Sequence, residues 1–154
     1  VAQAAAQTEA VVRVDPAFLQ VSPDAEFDLT IQIDDVENLY AYDILLSFPP
    51  DKLEVQSAAY GNFLEEPLMG FISSDNAKGT LWAVASQQYP IDPKTGSGSL
   101  LEINFHALGD RTDADIVLSA VTLSDRDGYE IPCSLQDGRV HIGAYTLHLP
   151  LVLR

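Results

Sequence analysis

Three histidines, one cysteine and 23 carboxylates are the side chains with the most chemistry to offer. His106, His141 and His148 show none of the paired spacings of a zinc site, and Cys133 has no second thiol with which to share a metal or form a bridge. They read as surface or half-buried residues. Gly96-Ser-Gly-Ser99 is glycine-rich in the manner of a phosphate loop, yet a strand pattern follows it and no Gly-Lys-Ser/Thr is present. It reads as a flexible turn. There is no Gly-x-Ser-x-Gly elbow to raise a nucleophile. Carboxylates held about 5–10 Å apart could hydrolyse a glycoside, but among 23 acids some pair meets that spacing in any fold. Asp125-Arg-Asp-Gly-Tyr-Glu130 opens like a calcium loop and then lacks the remaining ligands, including the bidentate Glu at the twelfth place. Asp-Gly is equally the signature of a hairpin turn. No catalytic residue, no metal site and no cofactor requirement is expected of this chain.

What must carry function instead is surface, and charge limits what that surface can meet. Eight Lys and Arg stand against 23 Asp and Glu in 154 residues, a net charge of −15, with an isoelectric point near 4.2. Polyanions and anionic lipid surfaces are repelled by such a chain, which excludes nucleic acid as a partner. At 47% apolar and 20% charged residues the composition is that of a folded domain rather than an acidic disordered tail. No run reaches the roughly 18 apolar residues of a membrane helix, so membrane insertion is not expected. The opening Val1-Ala-Gln-Ala-Ala-Ala-Gln is similar to the small-residue stretch at a signal-peptide cleavage site, and export is expected from it. A secreted or cell-surface bacterial protein is the expectation.

Alternation of apolar and polar residues runs through almost the whole chain, and helical periodicity nowhere. In the clearest case Phe27, Leu29, Ile31 and Ile33 alternate with Asp28, Thr30, Gln32 and Asp34, a strand with one buried and one wet face. Further strands are expected at 11–14, 18–21, 39–48, 53–57, 68–73, 80–86, 99–107, 115–123, 130–135 and 139–143. Turn residues separate them, among them Pro49-Pro-Asp, Asn76-Ala-Lys-Gly and Gln136-Asp-Gly. The fold is expected to be an all-β sandwich around one core. Residues 1–9 are set apart as a disordered or processed segment, 10–143 as the domain, and 144–154 as a tail or an additional edge strand in which Leu147, Leu149, Leu151 and Leu153 alternate but Pro150 lacks an N–H.

Two strands have faces that the core does not obviously claim. Tyr40, Tyr42, Ile44, Leu46 and Phe48 make the better core stripe, leaving Ala41, Asp43, Leu45 and Ser47 outside. In Thr80–Ser86 the small Ala83 and Ala85 suit a tight interior, which turns Trp82 and Val84 outward. An exposed apolar cluster with polar neighbours marks a binding surface, and tryptophan is a favoured anchor.

Three segments together resemble the cohesin family. Asn38-Leu-Tyr-Ala-Tyr-Asp-Ile-Leu-Leu-Ser-Phe-Pro-Pro-Asp-Lys-Leu-Glu-Val55 resembles its third and fourth strands, and Gly96-Ser-Gly-Ser-Leu-Leu-Glu-Ile-Asn-Phe105 its glycine-rich turn and following strand. Leu123-Ser-Asp-Arg-Asp-Gly-Tyr-Glu-Ile131 with Asp137-Gly-Arg-Val-His-Ile142 is similar to its closing hairpin. The ordered set covers Val11 to Ile142.

The resemblance implies a jelly-roll sandwich of about nine strands, without catalytic activity, that binds the calcium-loaded dockerin module of another protein through one flat sheet face, as in the scaffoldins of cellulosome-type assemblies. Calcium is then expected on the partner and the chain itself is expected to be a monomer. Ala41, Asp43 and Leu45 fall on the family's third-strand docking positions, Lys78, Trp82, Val84 and Gln87 on the sixth-strand positions, and Gly128 or Tyr129 beside the last hairpin contact. Ala41 stands where many type I cohesins carry Asn, and Gln87 where they carry an acid, which implies an atypical partner. Two alternatives stay open. A carbohydrate-binding module related to cellulose-binding sandwiches would use Trp82, Tyr60 and Tyr89 as stacking platforms, and a ligand-free spacer of a surface protein would use none of these.

Overall fold

The computed structural model describes residues 9–143, all strand, turn and loop. Residues 1–8 and 144–154, with His148 and the leucine-rich tail, lie outside the described residues. Twelve strands run in chain order: β1 (Ala10–Asp15), β2 (Phe18–Val21), β3 (Glu26–Leu39), β4 (Ala41–Ser47), β5 (Leu53–Tyr60), β6 (Leu68–Asp75), β7 (Thr80–Gln87), β8 (Lys94–Ala107), β9 (Thr112–Ser124), β10 (Glu130–Ile131), β11 (Cys133–Gln136) and β12 (Gly138–Ile142).

They form two layers. One sheet has the order β11-β1-β3-β8-β5, the other β2-β12-β9-β4-β7-β6 with β10 alongside β9. The pairing is antiparallel except at two edges, where β11 runs parallel to β1 and β12 parallel to β2. Consecutive β1 and β2 therefore belong to opposite sheets, and the chain crosses between the layers at Pro16-Ala17. The same exchange between sheets occurs at Pro132, which separates β10 from β11. A proline donates no ladder bond, so a strand naturally breaks there. The expected single strand over 130–135 is in fact two strands in different sheets.

The alternation in β3 resolves as its pattern requires: Leu29, Ile31 and Ile33 are buried, while Asp28 is exposed and Thr30, Gln32 and Asp34 half-buried. Each buried aliphatic of this kind contributes about 1.5–3 kcal/mol, which sets the register strongly, because a one-residue slip would turn the whole row to water. At the centre Phe105 of β8 stacks on Phe27 at 5.7 Å and meets Phe48 edge-on at 5.5 Å, the offset and perpendicular geometries that aromatic quadrupoles favour.

The Gly96–Ser99 segment is strand, not turn. It continues β8 along β3, with Gly96 opposite Val36 and Gly98 opposite Ile33. Asp35 and Asn38 on β3 take left-handed backbone angles, φ 58° and 60°, and interrupt the ladder. Their amide groups then donate to the hydroxyls of Ser97 and Thr95, at 3.0 and 3.1 Å. Side-chain oxygens of the glycine-rich segment thus replace the missing carbonyl partners, which is why it can pair with so irregular a strand.

Candidate docking interface

The sheet β9-β4-β7-β6 presents one face to the core and one outward. On β4, Tyr42, Ile44 and Leu46 point inward and are buried, leaving Ala41, Asp43, Leu45 and Ser47 outside. On β7 the inward row is Leu81, Ala83, Ala85 and Gln87, and the outward row Thr80, Trp82, Val84 and Ser86. The register places Tyr42 opposite Ala85 and Ile44 opposite Ala83, so large side chains on one strand face small ones on the next. The inward row is filled without Trp82, which the alternation of β7 turns outward.

Outside, Leu45 lies opposite Trp82 and Asp43 opposite Val84. Asp43 is thus the diagonal neighbour of Trp82, and the indole Nε1–H donates to its Oδ1 at 2.8 Å. From the other side Phe71 of β6 meets the indole edge-on, with centroids 4.9 Å apart at 89°. Trp82 is 46% exposed, and its ring is held by a hydrogen bond and an aromatic contact at once. An anchor fixed beforehand loses less rotamer freedom on binding than a free one.

Phe71 and Met69 are the functional candidates that the sequence reading missed. They are 44% and 63% exposed and extend the apolar surface one strand further. A signal was present: the turn Asn76–Gly79 pairs Asp75 with Thr80, and this register carries Phe71 to Val84 and Met69 to Ser86. The turn is well tied. Asp75 Oδ1 accepts the amides of Ala77 and Lys78. The Asn76 side chain reaches across to the other sheet, accepting from the Val55 amide at 2.8 Å and donating to its carbonyl at 3.1 Å. Gly70, at φ 151°, allows β6 to approach β7 closely; a Cβ there would stand 1.9 Å from the Val84 carbonyl. On the opposite flank β9 offers small residues, Ala120 opposite Leu45 and Thr122 opposite Asp43.

The remaining sequence candidates mark the two ends of this face. Lys78 is exposed in the β6–β7 turn, beside the Ser47–Thr80 end. Gly128 and Tyr129 are exposed in the β9–β10 turn, beside the Ala41–Ser86 end, about 20 Å away at strand rise. The calcium-loop resemblance of that turn is absorbed by its own backbone: Asp125 Oδ1 accepts the amides of Asp127 and Tyr129, both at 2.9 Å. Among the described residues no group of three or more His, Cys, Asp or Glu is placed to hold a metal ion.

Gln87 is a correction. It was expected on the docking face and is 2% exposed. It lies on the inward row of β7, and its amide is engaged with two loops rather than offered to solvent. The aromatics proposed for sugar stacking also separate: Tyr60 is half-buried with its hydroxyl donating to the Val84 carbonyl at 2.7 Å, while Tyr89 is 83% exposed. His106 sits on the other sheet between Glu54, 3.1 Å from Nδ1, and Asp24, 2.6 Å from Nε2. Donation to the carboxylates of Glu54 and then Asp24 favours the protonated ring and holds its pKa above the usual histidine value. His141 bonds Asp113 at 2.6 Å and thereby lowers that carboxyl's pKa.

The family profile of the Cohesin domain matches residues 12–142. No curated protein matches the sequence. Among solved structures, the chain is similar to a cohesin in a type I cohesin–dockerin complex from Clostridium thermocellum, Coh-OlpA with Doc918, at 12% identity and a TM-score of 0.78, covering 88% of this chain and 99% of that one. It is similar to the sixth cohesin of Acetivibrio cellulolyticus scaffoldin B, solved with a Cel5 dockerin variant, at 17% identity and a TM-score of 0.76, with 88% and 99% covered. It is also similar to the non-cellulosomal cohesin of the hyperthermophilic archaeon Archaeoglobus fulgidus, at 15% identity and a TM-score of 0.73, with 88% and 91% covered.

Proposed function

This chain belongs to the cohesin domain family, and from that premise we propose that it is a non-catalytic interaction module that captures a calcium-loaded, dockerin-type module of another protein. The outer face of β9-β4-β7-β6 is the docking surface, in an extracellular or cell-surface assembly. The observation that carries this reading is the outward row of Leu45, Trp82, Val84 and Phe71 with Asp43 bonded to the indole. Trp82 serves as the anchor. Leu45 and Val84 are its apolar neighbours, Ala41 continues the outward row of β4 beyond Asp43, and Phe71 and Met69 widen the contact beyond β7. Lys78 and the Gly128–Tyr129 turn bound the surface at its ends. A stable complex on it would bury on the order of 1,600 Å² in total, with a few anchors supplying most of the affinity.

Calcium enters this reading on the partner, and the cohesin side supplies only side chains and backbone. A net charge of −15 favours a partner with basic side chains at the rim and speeds encounter at low salt. A sugar-binding role has less support, because a platform needs several exposed aromatics lying in one plane, whereas Phe71 stands perpendicular to Trp82.

The test is capture on immobilised dockerins of several types, in calcium and again in EDTA. Retention in calcium and release in EDTA is expected. Retention on insoluble cellulose or chitin, with no dockerin captured, would replace docking by carbohydrate binding.

A further inference from the structure

Gln87 ends β7 at the Ala41–Ser86 end of the face, and its buried amide joins two loops. Its Oε1 accepts the Glu65 amide at 2.8 Å, and its Nε2 donates to the Asp92 carbonyl at 2.7 Å. The Gln87 amide itself donates to the Tyr40 carbonyl at 2.9 Å. From the 88–93 loop the connection continues to a third segment. Arg126, in the β9–β10 turn, bonds Asp92 Oδ1 at 3.2 Å and lies 5.8 Å over the Tyr40 ring. On the other side Glu65 pairs with Lys94 at 2.5 Å. One buried side chain thus connects residues 61–67 and 88–93 directly, and the exposed Arg126–Asp92 pair carries the link on to 125–129; two of these segments carry the most exposed aromatics among the described residues, Tyr89 at 83% and Tyr129 at 72%.

We infer that Gln87 is a positioning residue: it fixes the three loops at one end of the sheet so that Tyr89 and Tyr129 stand as selectivity contacts for the docked partner. The functional half of this inference rests on the docking reading above; the positioning half does not. The chemistry requires an amide. A hydrocarbon of the same length would leave the Glu65 N–H and the Asp92 carbonyl without partners, and a carboxylate could accept from Glu65 but could not donate to Asp92. A buried carboxyl that regains its proton can do both again. Gln87→Glu is therefore a conditional mutant, and Gln87→Leu an unconditional one. The charged groups around position 87 are Glu65 with Lys94, and Asp92 with Arg126. Glu66 neighbours the first pair in sequence. All are present in the wild type, which supplies the baseline at each pH.

Backbone hydrogen exchange by mass spectrometry tests the positioning half on the whole chain without any ligand. At pH near 7.5, Gln87→Glu should exchange faster than wild type in 61–67, 88–93 and 125–129, on the order of tenfold, with β4 and the centre of β7 unchanged. Near pH 5 that difference should close for Gln87→Glu and persist for Gln87→Leu. Acceleration spread evenly over all strands, silence in the three loops, or equal recovery of both variants would overturn it. The functional half is read with a dockerin captured by the wild type: Tyr89→Ala, Tyr129→Ala and Gln87→Glu at pH 7.5 should each change the order in which a dockerin panel is retained, and Gln87→Glu should regain the wild-type order near pH 5. An unchanged order overturns the selectivity role. Failure of the wild type to retain any dockerin overturns docking while leaving the exchange result intact.

Discussion

Removing one oxygen from Tyr42 measures how the two layers are fastened behind the docking face. Tyr42 on β4 is 3% exposed, and its hydroxyl donates to the Leu100 carbonyl of β8, in the opposite sheet, at 2.7 Å. Burial, with Tyr60 as a lesser contributor, pushes this hydroxyl far above the usual tyrosine range, so it remains a donor at every pH the fold survives. Tyr42→Phe keeps the ring and loses the bond. The Leu100 carbonyl would not be orphaned, because the Gly61 amide also donates to it, at 2.8 Å. The cost is therefore the net value of one hydrogen bond, about 1 kcal/mol, and not the larger penalty of a stranded buried acceptor. For a domain of this size that is a fall in Tm of about 3 °C. Tyr42→Ala also removes the ring that faces Ala85, and the resulting cavity should cost about 3–5 kcal/mol. Thermal melts and urea titrations of the three proteins give both numbers. A loss above about 3 kcal/mol for Tyr42→Phe would refute the reasoning, because it would mean the Gly61 bond cannot satisfy the carbonyl alone.

Two further outcomes follow from other parts of the fold. The His106 pKa is raised in the folded state by Glu54 and then Asp24, so its contribution is complete below the unfolded value near 6.5 and disappears as pH rises through the folded value. Wild-type Tm should fall more between pH 6 and 8 than that of His106→Gln, and parallel profiles would show that the two carboxylates do not hold the imidazolium. Gly70→Ala places a Cβ against the Val84 carbonyl, so β6 must draw away from β7 and Phe71 from Trp82. Near-ultraviolet circular dichroism of the lone tryptophan should change; an unaltered spectrum would mean that the backbone at Gly70 adjusts without moving Phe71.

Much of the face was legible from parity alone. The inward Tyr42, Ile44 and Leu46 and the small Ala83 and Ala85 assign Asp43, Leu45, Trp82 and Val84 outward, and the structure has the same two rows. Parity also bears on the residue that the resemblance misplaced. Gln87 shares the odd positions of Leu81, Ala83 and Ala85, so its strand turns it inward whatever its polarity. What alternation could not give was the course of β3 beyond Asp34. There two residues with positive φ break the period, and the glycines opposite Ile33 and Val36 look like a turn until Ser97 and Thr95 are seen closing the ladder. Nor could it show that Pro132 sends consecutive segments to different sheets, since a short apolar run reads alike in either layer. Pairing across the β6–β7 hairpin was available from the turn length and would have brought Phe71 and Met69 to the face.

The central claim is that Trp82 and Leu45 serve a partner and not the core. It is tested most directly by measuring dockerin affinity and Tm together for Trp82→Ala and Leu45→Asp. Affinity should fall by at least about 30-fold, the loss of roughly 2 kcal/mol expected of an interface anchor, with Tm within a few degrees of the wild type. A collapse of folding in both variants, or undiminished capture by both, would contradict it.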